Sequence, residues 1–193
     1  MQEADRSRFK TNMFFTASPL KLVLLSVFTF GYYEFYWFYR NWLLFKAQSG
    51  KRIWPAWRAV FAPIWAYSMF SKIYAAAAGH GLPVIGTAKI LTACYIVFFL
   101  FHLLPDPFKM LAVLTVAPLF LANQAASLVN EAAVEDYREN SRFTVLNMIA
   151  LFFGILFVGL NILFKFYDGP SLQEFHENSG FSVGARMRKR LAD

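Results

Sequence analysis

Residues 145 to 164 read VLNMIALFFGILFVGLNILF, twenty residues without a charged side chain, closed by Lys165. No other feature limits the fold so strongly. A helix rises about 1.5 Å per residue, so about 20 apolar residues cover a hydrocarbon core roughly 30 Å thick. Runs of similar length recur from Pro19 to Tyr39, from about Trp54 to Tyr74, from about Pro83 to Leu104 and from about Met110 to Val129. Their recurrence predicts an all-α, polytopic helical membrane protein with about five transmembrane helices. The N-terminal tail would cover residues 1–18, the bundle 19–166 and a polar C-terminal tail 167–193.

Composition argues the same way. Hydrophobic residues make up 58% of the chain and its mean hydropathy is +0.40, above the roughly 45–50% apolar share of soluble domains. Aromatic residues reach 19% and gather where apolar runs meet charges, as an interfacial belt requires. The net charge of +7 sits in short patches between apolar runs rather than along one polar face. That pattern suits loops against an anionic leaflet, and no nucleic-acid partner is expected. The single cysteine, Cys94, lies inside an apolar run and reads as an inert buried thiol. The first residues have no small-residue cleavage site after a short apolar core, so the first run reads as a retained signal anchor. No lipidation motif is present at Gln2 or at the terminal LAD.

The runs differ in quality. The first opens on Pro19 and closes on YYEFYWFY and Arg40, but it carries Glu34. The second has Arg58 and Lys72 with only 59–71 free of charge between them. It is either a span kinked at Pro63 or a re-entrant or interfacial helix. Gly79, Gly81 and Pro83 break the chain before the third run, and PDP at 105–107 turns it before the fourth. The charged stretch NEAAVEDYRENSR, 130–142, predicts that the fourth helix continues into water. With five spans, about eleven of the 19 Lys and Arg share a side with the C-terminus, which places the tail in the cytoplasm and the N-terminus outside. Four spans with both termini inside is the alternative. No internal repeat of the inverted-transporter kind is evident.

Several polar residues inside these runs invite a role. A hairpin of the first two helices would bring Glu34 and Arg58 to similar depth, where they either pair or snorkel separately to the interface. Asn123, Gln124, Ser127, Asn130 and Glu131 form a stripe on the fourth helix, and Asn147, Gly154 and Asn161 recur every seven residues on the fifth. If the stripes face each other, Asn147 meets Ser127 and Asn130 as interhelical glue of about 1 kcal/mol per contact. The sharper reading makes them the polar wall of a substrate cavity. Arg186, Arg188, Lys189 and Arg190 are candidate contacts for anionic lipid. His80, His102 and His176 are too scattered to define a metal site, and no cofactor motif, phosphate loop or nucleophile elbow occurs. Little points to an enzyme.

The run TFGYYEFYWFYRNW, Thr29 to Trp42, resembles a segment of uncharacterised bacterial membrane-protein families classed as domains of unknown function, in which T-x-G-x-Y-x-x-Y-W ends the first span. IWPAWRAVFAPIWAYSMF, Ile53 to Phe70, looks like its continuation in one such group. The resemblance implies a bacterial inner-membrane location and supplies no activity. On physical grounds Gly31 would permit close helix approach while Tyr33, Tyr36, Trp37 and Tyr39 anchor at the headgroups. The expected function is a structural, scaffolding or regulatory membrane protein with the bilayer as its partner. A transporter or channel subunit, or a membrane enzyme, are the alternatives.

Overall fold

The first apolar run does not form one helix. It divides at Thr29–Gly31 into α1 (Pro19–Phe28) and α2 (Tyr32–Ser49). Phe30 and Gly31 adopt φ of 52° and 85° at the break, a region that costs an L-residue other than glycine roughly 1–2 kcal/mol. Space for a Cβ on Gly31 is open, so its role is this dihedral and not the close helix approach read from sequence. Thr29 spans the gap. Its hydroxyl donates to the Leu25 carbonyl and accepts from the Tyr33 N–H, so the T-x-G-x-Y motif supplies both the bend and the hydrogen bonds that the bend would otherwise lose.

The computed structural model describes residues 12–105 and 108–166, the side chains of 165 and 166 excepted. Every regular element among them is helical. After α2 come α3 (Pro55–Val60) and α4 (Ala62–Gly79), then α5 (Ala88–Leu100) with a 3₁₀ turn over Phe101–Leu103. A 3₁₀ segment, Phe108–Thr115, leads into α6 (Val116–Ala133), and α7 covers Val145–Phe166. The second run is thus also divided, at Phe61. Pro63 sits in the first turn of α4, where its missing N–H costs nothing, and starts that helix instead of kinking a longer one.

The predicted extension of the fourth helix into 130–142 breaks off after one turn. α6 stops at Ala133, Val134 is extended, and Asp136 takes a φ of 59°. Among the described residues two helices are long and apolar enough to cross a membrane, Phe108–Ala133 and Val145–Phe164. Half of the first window is buried, against 6% of the second.

The chain divides into two compact units, Met1–Gly154 and Ile155–Asp193. In the first, α4 lies at the centre and packs against α2, α5 and α6. Its buried residues Ala62, Ala66, Met69, Phe70, Ile73 and Ala77 recur at helical spacing. They meet Trp37, Phe38 and Trp42 of α2, Tyr95 of α5 and the small residues Ala122, Ala125 and Ala126 of α6. Phe38, Phe70 and Tyr95 form a ring cluster with centroids 5.5 to 6.2 Å apart, within the range of favourable aromatic pairs. Close to the unit's end, Gly154 lies against the carbonyl of Phe28, where any Cβ would collide. The described part of the second unit is the helical stretch 155–166, with Phe157, Ile162, Leu163 and Phe164 exposed.

Candidate functional site

Residues 12–18 form no helix or strand, bend at 13 and 14, and bury Phe15, Thr16 and Ala17, so their backbone N–H and C=O groups need partners. Three asparagines provide them for three of these residues. Asn130 accepts from the Phe14 N–H at 3.0 Å and donates to its carbonyl at 2.8 Å. Asn41 does the same for Phe15, at 3.0 and 3.1 Å, and Asn123 for Ala17, at 3.0 and 2.7 Å. Each carboxamide acts as a one-residue strand partner, and Trp37 Nε1 fixes the Asn123 oxygen at 2.9 Å. The spacing follows from geometry. Asn123 and Asn130 are two helical turns apart, about 10.5 Å, and three residues of non-helical chain, as between Phe14 and Ala17, can reach about 10 Å. The strap therefore runs antiparallel to α6 in register with it.

The same strap is covered by the chain after α6. Tyr137 places its hydroxyl 2.6 Å from Thr16 and 3.0 Å from Ser127, which explains why the helix ends before it. The Ser18 N–H reaches the Asn140 carbonyl at 3.2 Å. Lys21, 2% exposed, donates to Asn140 Oδ1 at 3.0 Å and to the Arg142 carbonyl at 2.8 Å. On the α2 side, the Arg40 guanidinium lies 5.0 Å from the Phe15 ring, and Gln48 donates to the carbonyls of Asn12 and Met13.

Of the residues singled out from sequence, Asn123, Ser127 and Asn130 meet in this arrangement, and Gln124 beside them is half-buried. The facing of two polar stripes is not realised: no hydrogen bond joins Asn147 to Ser127 or Asn130, and the Asn147 N–H turns to Thr144 instead. Asn161 donates to Phe157 on its own helix, and Glu131 is exposed. Arg186, Arg188, Lys189 and Arg190, with His176, lie outside the described residues. Asn41, Lys21 and Tyr137 were not singled out from sequence, and Trp37, read there as a headgroup anchor, is instead fully buried, with Tyr33 of the same set buried as well. Asn41 carried the available signal, a carboxamide in the otherwise aromatic and apolar middle of WFYRNWLLF.

Glu34 and Arg58 do not pair. Glu34, 3% exposed, accepts from Thr115 at 2.8 Å. Arg58 instead lies over two rings, 4.4 Å from the Trp42 centroid and 4.2 Å from that of Trp65. The break at Phe61 sets Arg58 on a separate short helix, so the simple hairpin that would have matched their depths does not exist. Among the described residues no cluster of His, Cys, Asp and Glu is arranged to hold a metal. The described side chains around the strap hold backbone. No family model, curated protein or solved structure matches the chain.

Proposed function

We propose that the chain is a small multi-pass protein of a bacterial inner membrane with a structural or scaffolding role. Its five apolar runs span the bilayer, with the N-terminus outside and the C-terminal tail in the cytoplasm. The observation that carries the functional part is the occupation of Asn41, Asn123 and Asn130 by the chain's own backbone. Carboxamides that would have to face a solute in a transport path are each already satisfied at two atoms. The breaks at Thr29–Gly31 and Phe61 are compatible with spanning, because irregular backbone is tolerated at membrane depth where protein groups satisfy it. Exposed apolar side chains such as Leu20, Ile64, Val97, Leu146 and Phe152 support lipid as the surrounding solvent, and the resemblance of Thr29 to Trp42 supports the location.

Photo-crosslinking from Phe152 and Phe153, both more than 60% exposed, tests the scaffolding role in native membranes. A discrete protein adduct is expected; adducts to lipid alone, together with solute flux through purified protein in liposomes, would overturn it. A second reading, proton-coupled transport, is favoured by Glu34, a buried carboxyl group hydrogen bonded to Thr115 and meeting no cation among the described residues. Under that reading Glu34→Gln keeps stability and abolishes flux, whereas the scaffold reading predicts no flux in either form.

A further inference from the structure

From position 35 to position 105 the sequence holds seven Lys and Arg and no Asp or Glu. The fold gathers part of this unneutralised charge. Arg52, Ile53, Trp54, Trp57, Arg58 and Trp65 line a cavity of about 490 Å³, within the size range of small-molecule sites. The Arg58 guanidinium is held against the rings of Trp42 and Trp65, which stand at 83° to each other, and its side-chain N–H groups meet no acceptor among the described residues. A planar guanidinium with unused donors matches the paired oxygens of a phosphate, for which arginine is better suited than lysine. Arg52 adds a second cation at the same cavity. The indoles of the lining are of a different character: Trp54 is 81% exposed and Trp57 61%, and Val60 and Ile64, near them in the chain, are exposed too. Cations lining one cavity together with bare indoles suit an amphiphile rather than a free anion, since indole rings favour the zone between headgroup and acyl chain.

We propose that this pocket binds the phosphodiester headgroup of an anionic glycerophospholipid, with Arg58 and Arg52 on the phosphate oxygens and Trp54 and Trp57 against the glycerol and upper acyl region. The assignment rests on the bilayer reading and is separate from any contact made by Arg186 to Arg190. It deepens that reading, because a bound lipid would tie the segment between α2 and α4 to one leaflet.

The test titrates the purified full-length chain in neutral detergent with short-chain phosphatidylglycerol, short-chain phosphatidylcholine and glycerol phosphate, following tryptophan fluorescence. Saturable binding of phosphatidylglycerol is expected, with phosphatidylcholine, whose phosphate is the same but whose choline cation is repelled by the two arginines, and glycerol phosphate, which lacks the apolar contact, each weaker by about tenfold or more. Arg58→Lys, which keeps the charge and loses the fork, should weaken phosphatidylglycerol by about tenfold, and Arg52→Gln should weaken it as well. Arg138→Gln, and removal of residues 186–190, should leave it unchanged. Equal binding of the two lipids, or no effect of either Arg58→Lys or Arg52→Gln, would overturn the site. Glycerol phosphate binding as tightly as the lipid would overturn the lipid assignment. Failure of the bilayer reading is seen separately, as protein that stays soluble without detergent and does not float with phosphatidylcholine vesicles.

Discussion

Replacing Asn123 by Ala removes three hydrogen bonds at once: from the Ala17 N–H at 3.0 Å, to the Ala17 carbonyl at 2.7 Å, and from Trp37 Nε1 at 2.9 Å. Two magnitudes compete. Interhelical polar contacts in membranes average about 0.6 kcal/mol, because the helices find other partners when separated. A buried group left without any partner costs about 1–3 kcal/mol. The second should dominate, because Ala17 and Trp37 are fully buried and the Ala17 amide belongs to non-helical backbone, which has no helical hydrogen bond to fall back on. A loss of about 3–5 kcal/mol follows, measured as the shift in reversible unfolding in mixed micelles. Gln124→Ala, one position along, should cost below about 0.5 kcal/mol. An Asn123→Ala cost under about 1 kcal/mol, equal to that of Gln124→Ala, would refute the idea that the carboxamide holds the strap.

Gly31→Ala forces a side chain to φ 85° and should destabilise by about 1–2 kcal/mol in the same assay, although no neighbour obstructs it. Gly154→Ala drives a Cβ into the Phe28 carbonyl and should cost about 1–3 kcal/mol; Gly159→Ala, with open space around it, should be neutral or slightly stabilising by thermal melting. Reporter fusions at residues 1 and 193 should lie on opposite sides of the membrane, and finding both in the cytoplasm would replace five spans by four.

The helical class and the approximate place of each run are legible in the sequence because hydrophobic length is a local property. The internal divisions are less so. At Thr29–Gly31 the break depends on one glycine dihedral and one hydroxyl, neither of which alters the hydropathy of the run. At 130–142 the charged residues favour a helix by local propensity, but Tyr137 gains bonds to Thr16 and Ser127 only if the helix stops, and tertiary contacts override so weak a preference. The polar stripe of Asn123, Ser127 and Asn130 was readable from spacing. Its occupant was not, since Phe14 and Ala17 lie more than 100 residues away and present backbone, which leaves no residue-type signature. For the same reason Glu34 was conspicuous while Thr115, its partner, was not.

Hydrogen–deuterium exchange of the peptide covering 12–18, in lipid nanodiscs, tests the central claim most directly: that the buried asparagines serve to hold the chain itself. The account predicts that the amides of Phe14, Phe15 and Ala17 exchange as slowly as those of α6, and that Asn123→Ala accelerates Ala17 most. Exchange of this peptide at the rate of an unstructured chain, with α6 still protected, would contradict it and return the carboxamides to the role of an open polar wall.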